Sequence, residues 1–592
     1  MKRTMLCGEV RAAHVGQAIV LQGWVHTVRD HGGLIFVDLR DRAGLVQVLV
    51  NPATAPEAHA VASGLHDEYV VEIHGRVERR PAGSENPKIG TGDIEVHAER
   101  VDVLNPCLPL PFPIAEDTQI DERLRLQYRY LDLRRLRMAR NMALRHRVIK
   151  YIRDFMDAAG FLEIETPILA NPTPEGARDY LVPSRLFPGS FYALPQSPQQ
   201  YKQLCMVAGM DRYFQIARCF RDEDLRANRA VEFTQLDLEM SFVEPEDVFQ
   251  VCEKLFTGLT ESLSTKRVFQ TPWPRLTWQT AMDRYGSDKP DLRYDLPIVD
   301  VSSITGQTEF QVFRGAVESG GVVRGLRAPR AAGFTRRQLD ELTELAKSSG
   351  ARGLAWAALA DGEVRSPFAR FLAEGEQAAL WHALGAGQGD LVLLVADSVD
   401  VARASLGSLR RELARRLNLI PSDVMGWAFV VEFPWFERDE ATGRLTFMHH
   451  PFTMPFDQDL PLLETDPLRV RAKAYDVVAN GEELASGSIR VHRADIQSRL
   501  FELLGYSAER IQSNFGHMLR AFQYGAPPHG GIAPGIDRVV SMLADEDSIR
   551  EVIPFPKNQS AQDLMMGAPT PVGPDQLEDL HIRVVDPAPV ST

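Results

Sequence analysis

Apolar and polar positions alternate with a period of two in five runs near the start of the chain. They are "IVLQGWVHTVR", "LIFVDLRD", "LVQVLVN", "YVVEIHGRVER" and "DIEVHAERVDVL", all between residues 19 and 104. Successive strand side chains point to opposite faces, so the alternation predicts half-buried strands. Turn signals separate the runs at Gly32-Gly33, at Gly44 and in "PAGSENPKIGTG", and a helix-like "EAHAVASGLH" links the third to the fourth. Five strands with such a link predict an OB-fold barrel, which commonly holds single-stranded nucleic acid. On its strands Phe36 offers an aromatic to stack a base and Gln47 an amide to read one, although ordinary strand packing also accounts for either.

The pattern then changes. "NPCLPLPFP" (105–113) reads as a Pro-rich linker. Leu144, Val148, Ile152 and Phe155 recur at helical spacing, Gly160 predicts the helix end, and "FLEIETPIL" predicts a strand stopped at Pro167. Further on, Phe233, Gln235, Asp237 and Glu239 share one face of a predicted strand, and Thr234, Leu236, Leu238 and Met240 the other. Residues 286–425 predict a compact α+β insert, with helices at "TRRQLDELTELAKSSG" and "LRRELARRLNL" and apolar strands at "GLAWAALA" and "DLVLLVAD". Strands resume at "GWAFVVEFPWFE", "FMHHPFTMP" and "ELASGSIRVH", and "GGIAPGIDRVVSMLAD" runs from strand into helix. The last ~30 residues are Pro-rich and predict a loosely packed tail. The predicted fold class is α+β multidomain, as 592 residues exceed what one core supports.

Composition narrows the setting. No stretch of about 18 apolar residues occurs, so no membrane span is expected. The start, "MKRTMLCGEVRAAHVGQ", has a basic tip without an apolar core and does not read as a secretion signal. Cys7, Cys107, Cys205, Cys219 and Cys252 form no C-x-x-C pair, so neither a disulfide framework nor a zinc site is expected, and the expected location is a reducing cytoplasm. The net charge of −14 argues weakly against a nucleic-acid partner, but the local field is what matters. Residues 121–153 carry eleven Arg or Lys against three acids, a candidate phosphate contact or simply a solvated helix face.

Acids in a row on a strand are costly unless they meet water, a cation or a ligand. A G-x-x-x-x-G-K-[ST] loop is absent, so a nucleotide would need other phosphate ligands, for which Arg221 and Arg538 are the candidates. His449 and His450, read as strand neighbours, point to opposite faces and cannot grip one ion. Asp476 and Glu483 flank an Asn-Gly turn and could face each other on a hairpin to hold Mg²⁺, with a cross-strand contact to Arg490 as the alternative.

Three blocks occur in an order that resembles a known family. "GFLEIETPIL", "FRDEDLRANRAVEFTQLDLEM" and "GIAPGIDR" resemble motifs 1, 2 and 3 of the class II aminoacyl-tRNA synthetases. Within that class "TPEGARDYLVP", "LPQSPQQYKQL" and "MHHPFTMP" resemble the aspartyl-tRNA synthetases, and the insert resembles the GAD-type domain of their bacterial form. The resemblance covers nearly the whole chain. It implies an OB-fold anticodon-binding domain (1–105), a hinge (106–140), an antiparallel-sheet catalytic domain in two parts (141–285 and 426–560), the inserted domain (286–425) and a C-terminal extension (561–592). It also implies activation of L-aspartate with ATP and transfer to the 3′ end of tRNA(Asp), with tRNA(Asn) left open, by a cytoplasmic homodimer that uses Mg²⁺ and no membrane.

The resemblance also implies roles for single residues. Arg221 would clamp the α-phosphate and the attacking carboxylate, and Arg538 the γ-phosphate. Glu175, Ser197, Gln199, Asp237 and His449 would surround the amino acid, and Lys202 and Arg490 would pair with its side chain. Asp222, Glu223, Ala230, Gly535, Ile536 and Asp537 would complete the ATP site, with Asp476 and Glu483 on Mg²⁺. Arg29, Phe36 and Gln47 would meet the anticodon. His31 and Gly83 bear on tRNA choice, His31 leaning to the relaxed type. Phe161, Ile164 and Ile168 would form the dimer patch. The chain departs from the family at Ala485 and Ser486, where glycines are usual, at Ala230-Val231, where Gln-Pro is usual, and at Pro534, where an aromatic is common. Two rivals remain open: an asparagine synthetase-like enzyme, which typically lacks the barrel, and a non-catalytic tRNA-binding paralogue, which should have lost Arg221, Glu483 or Arg538.

Overall fold

A computed structural model describes residues 2–114, 118–172, 176–360, 362–439 and 441–585. The chain divides into two compact units, one built mainly on residues up to 143 and the other mainly on residues 144–553.

In the first unit, β1 (Ala18–His31), β2 (Leu34–Asp41), β3 (Gly44–Val50), β4 (Val70–Arg79) and β5 (Ile94–Asn105) close into a barrel in the order β1-β2-β3-β5-β4. Each strand falls within two residues of its predicted run, because inward Leu21, Val25, Val37, Leu39, Val48 and Val71 fill the barrel and the alternation leaves no other register. Phe36 is half-buried on the outer face and belongs to no core cluster, directly opposite Arg29 on β1. Arg29 pairs with Asp38 at 3.0 Å, and Asp38 faces Gln47, whose amide donates to Glu95 at 2.9 Å. The exposed His31 ring packs edge-on to Phe36, with centroids 5.9 Å apart, and Gly83 sits exposed with φ of 89°. The basic run after the barrel is largely structural. Arg125, Arg129 and Arg135 converge on the fully buried Asp132, and Arg134 pairs with Glu68. A carboxylate with no access to water requires such cations.

The second unit is organised by an eight-stranded sheet. Its order is Arg275–Thr277, Trp427–Val431, Ala474–Ala479, Glu482–Ile489, His529–Pro534, Glu232–Ser241, Arg212–Phe220 and Leu162–Glu163. The pairs are antiparallel except at the two edges. Leu236, Leu238 and Met240 face a core shared with Val148, Ile152, Val477, Ile532 and the helix Pro245–Leu263. "FLEIETPIL" forms a strand of only two residues. Ile164 N–H still donates to Phe214, after which Pro167 ends the run. Phe161 is a core residue rather than part of an outer patch, whereas Ile168 and Leu169 are exposed. The insert carries its own five-stranded sheet, and its helix Arg336–Ser348 is capped by Thr335, whose hydroxyl accepts from Gln338 N–H. The last insert helix, Val399–Arg416, is longer than its apolar pattern predicts. Among the described residues no helix is long and apolar enough to cross a membrane.

Candidate active site

The face of the Glu232–Ser241 strand that carries Phe233, Gln235 and Asp237 lines a cavity of about 620 Å³ in the second unit. Four nearly fully buried charges meet beneath it. Lys202, on the helix Gln199–Val207, places Nζ 2.7 Å from Asp237 and 3.3 Å from Glu239. Arg490 donates Nε and Nη2 to the two Glu239 oxygens at 3.0 and 3.3 Å, and Nη1 to Ser488 Oγ at 2.7 Å. Lys202 and Arg490, which the resemblance pairs with a substrate side chain, already have anionic partners within the protein. Two anions balance them, because buried charge of one sign is too costly to hold.

Burial pushes the Asp237 carboxyl up despite Lys202, whereas Arg490 and Lys202 outweigh burial at Glu239 and hold it below the usual range. Asp237 Oδ2 has no partner among the described residues. Gly531 makes the arrangement possible, since a Cβ there would lie 2.1 Å from Glu239 Oε2. Glu239 had no assigned role in the sequence reading, although its place on the acidic face was the available signal.

In the cavity wall the Arg221 guanidinium lies 5.0 Å from the Phe233 ring centroid, and its buried Nε–H has no acceptor among the described residues. A buried donor left open in this way is set for an anion. Glu223 pairs with Arg229 at 3.1 Å, and both line the cavity with Ala230. Asp222 turns away to pair with Arg178 at 3.3 Å. Gly535 and Asp537 line the cavity, and Asp537 accepts from Thr234 N–H at 2.9 Å and pairs with Arg145. Ile536 is a core side chain, because it is on the inner face of the helix Ile536–Leu543. Arg538 is aimed by two carbonyls, Glu483 at 2.7 Å and Asn228 at 3.2 Å. Ser197 and Gln199 also line the cavity, and the Gln199 amide donates to Gln203 at 3.1 Å. Glu175 lies outside the described residues. Close by, Gln196 donates to Ala177 O at 2.9 Å and Asp179 at 2.6 Å, a tether the sequence did not single out.

Asp476 and Glu483 also line the cavity, but not as direct partners. Their hairpin turns at Asn480-Gly481, with φ of 53° and 88°, and places Asp476 opposite Ser486 and Glu483 opposite Val478. A bulge lies between these pairs, and Leu484 and Ala485 both turn into the core. The extra residue brings Glu483 to the face of Asp476 and Ser486. Each acid has a basic neighbour, His449 Nε2 at 3.0 Å from Asp476 and Lys289 Nζ at 3.0 Å from Glu483.

His449 and His450 follow the strand Leu445–Phe447 rather than lying on it, so both reach the cavity, contrary to the strand alternation. Burial pulls His449 down, but Asp476 outweighs it and holds the imidazole above its ordinary value. Burial, with Arg490, Lys202 and Arg221 around it, pushes His450 well below and keeps it neutral. Two carboxylates of hard oxygen fit Mg²⁺, which commonly takes one or two protein carboxylates and completes its shell with phosphate and water.

Comparison with known proteins gives one family over most of the chain. A model of "tRNA synthetases class II (D, K and N)" matches residues 121–559, and one of "OB-fold nucleic acid binding domain" matches 19–104. The chain is 54% identical to the Aspartate–tRNA(Asp/Asn) ligase of Moorella thermoacetica, covering 98% of this chain and 97% of that protein. It is also 54% identical to the protein of the same name from Rubrobacter xylanophilus, over 99% and 97%. Among solved structures, asparaginyl-tRNA synthetase from Pyrococcus horikoshii with asparaginyl-adenylate matches with a TM-score of 0.60 at 19% identity, covering 94% of this chain and 98% of that one. At that identity the likeness speaks to fold alone.

Proposed function

The chain belongs to the class II tRNA synthetases (D, K and N), and from that premise we propose that the cavity activates L-aspartate with ATP and passes it to tRNA. The carrying observation is the buried set Lys202–Asp237–Glu239–Arg490 beside the open Arg221 donor.

An oxygen of the substrate α-carboxylate attacks the α-phosphorus of ATP, the bond to the β-phosphate oxygen breaks, and pyrophosphate leaves. Both reactants are anionic, so Arg221 between them and Arg538 near the leaving group stabilise the transition state. Mg²⁺, held by Asp476 and Glu483, would supply further neutralisation of phosphate charge when bound. No general base is needed, because the nucleophile is already ionised. In the second step a ribose hydroxyl at the tRNA 3′ end attacks the acyl carbon, the acyl–phosphate bond breaks, and AMP leaves with the hydroxyl proton passing to its phosphate. Lys202 and Arg490 receive the substrate side chain while Asp237 faces its ammonium. Asparagine would turn an amide N–H donor towards the donors of Lys202 and Arg490 where aspartate offers an acceptor oxygen, so a site built on that pairing rejects it strongly.

The finer assignments follow from the same premise. Residues 1–105 bind the anticodon through Arg29, Phe36 and Gln47, whose strands place them on the outer face. tRNA(Asn) is a substrate as well, which the names of the relatives and the placement of His31 beside Phe36 support. The chain works as a cytoplasmic homodimer. Against the rivals, the barrel is present and Arg221, Glu483 and Arg538 all line the cavity. The test is aspartate-dependent exchange of pyrophosphate into ATP, with charging of separate tRNA(Asp) and tRNA(Asn) transcripts. Exchange without charging of either would overturn the reading.

A further inference from the structure

Lys289 belongs to none of the three motifs, yet its ammonium reaches the cavity and lies 3.0 Å from Glu483 Oε2. Its base is held by the insert. Gly286, with φ of 67°, ends the helix Trp278–Tyr285 so tightly against the insert's last helix that a Cβ would lie 2.3 Å from the Arg403 carbonyl oxygen. Arg410 of the same helix donates to the carbonyls of Asp291 at 2.9 Å and Tyr294 at 3.0 Å. Lys289 N–H donates to Ser287 Oγ at 3.0 Å. The lysine is thus a long arm on a clamped base, with its side chain still partly open to the cavity.

We propose that Lys289 is a resident counter-cation of Glu483, which it gives up to a divalent cation arriving with the nucleotide while it moves to the polyphosphate. The proposal rests on the reading of Asp476 and Glu483 as Mg²⁺ ligands. An ammonium against a carboxylate oxygen competes with a metal for that carboxylate and repels the incoming cation. The free protein therefore holds the metal poorly. A polyphosphate offers the ammonium several anionic oxygens in exchange, and its four-carbon stem lets it follow them. Metal and nucleotide then bind with positive coupling, and the insert supplies the group that couples them.

The test uses Mn²⁺ as the probe, with free Mn²⁺ measured by electron paramagnetic resonance on the full-length protein without nucleotide. Lys289→Met is expected to bind Mn²⁺ about tenfold more tightly than the wild type, within the usual range of coupling between sites. It should bind ATP more weakly by calorimetry, and Lys289→Arg should restore ATP binding. Equal or weaker Mn²⁺ binding in Lys289→Met, or no detectable binding in either protein over the same titration, overturns the proposal. Lys289→Gln is run alongside, with thermal unfolding to confirm that each variant is folded. If Glu483→Gln keeps wild-type Mn²⁺ binding, the metal-ligand reading itself has failed. If Glu483→Gln loses binding and Lys289→Met is unchanged, only the counter-cation role has failed.

Discussion

At the scale of single residues, the buried charge set dominates. Among the described residues, Arg490→Leu leaves Glu239 with only Lys202 at 3.3 Å, and Lys202→Met leaves Asp237 with no cation in contact. Breaking a buried pair by removing one partner costs about 3–5 kcal/mol. Either variant should lose that much unfolding free energy in urea and lose aspartate-dependent exchange with ATP affinity largely kept. An unchanged aspartate KM in either would refute the pocket assignment. Gly531→Ala should be nearly as damaging to exchange, because its methyl would occupy the space of the Glu239 carboxylate. The members of this set were legible in the sequence because strand alternation places Asp237 and Glu239 on one face. Their pairing was not, since Arg490 lies 251 residues from Glu239 and only the assembled sheet joins them. Asp222 and Ile536 show the converse limit. A motif fixes a position in the chain but not where the side chain points, and these two turn to Arg178 and to the core.

At the scale of elements, the strongly periodic segments were the readable ones. The barrel strands came out nearly residue for residue, while motif 1 gave two residues of strand where a run reaching Pro167 was expected, because an edge segment ended by proline has little to pair with. The hairpin was legible from Asn480-Gly481, but the bulge that aligns Glu483 with Asp476 has no sequence signature. Phe36→Ala removes a half-exposed ring from the outer face of β2, and base stacking is typically worth about 1–3 kcal/mol. Charging should weaken by that amount while pyrophosphate exchange stays normal. If both fall together, Phe36 is structural.

The root of the insert makes a pH-dependent prediction. Burial pushes Asp283 up, but hydrogen bonds from Gln279, Arg403 and Arg324 outweigh it and set the carboxyl at about 2. A depressed folded-state value means stability that is present above the unfolded value of ~3.9 and is lost as the pH falls towards 2. Asp283→Asn should therefore lower the urea midpoint at pH 5 to 7, and its difference from wild type should shrink steadily below pH 4. A difference that persists undiminished at pH 3 would show that the ionised carboxylate is not what counts.

At the scale of the whole molecule, the exposed side chains of motif 1 bear on assembly. Ile168 and Leu169 are exposed apolar side chains in motif 1, with Leu162 exposed nearby in the chain. A two-fold interface uses one patch twice, so a single added charge acts twice. Ile168→Asp should give a monomer of the chain mass, 66.2 kDa, by light scattering, where the wild type gives twice that. A monomeric wild type at micromolar concentration would refute the dimer.

The neutral charge set beneath the cavity also bears on how such a pocket can change over generations. Losing Arg490 alone strands Glu239, and losing Glu239 alone leaves Arg490 unpaired, so each single step passes through a destabilised chain, whereas removing both at once keeps the balance. A lineage drifting from an acidic to an amide amino acid must cross that fitness valley in coordinated pairs. Its specificity is thereby protected by epistasis, in addition to the affinity of the site itself.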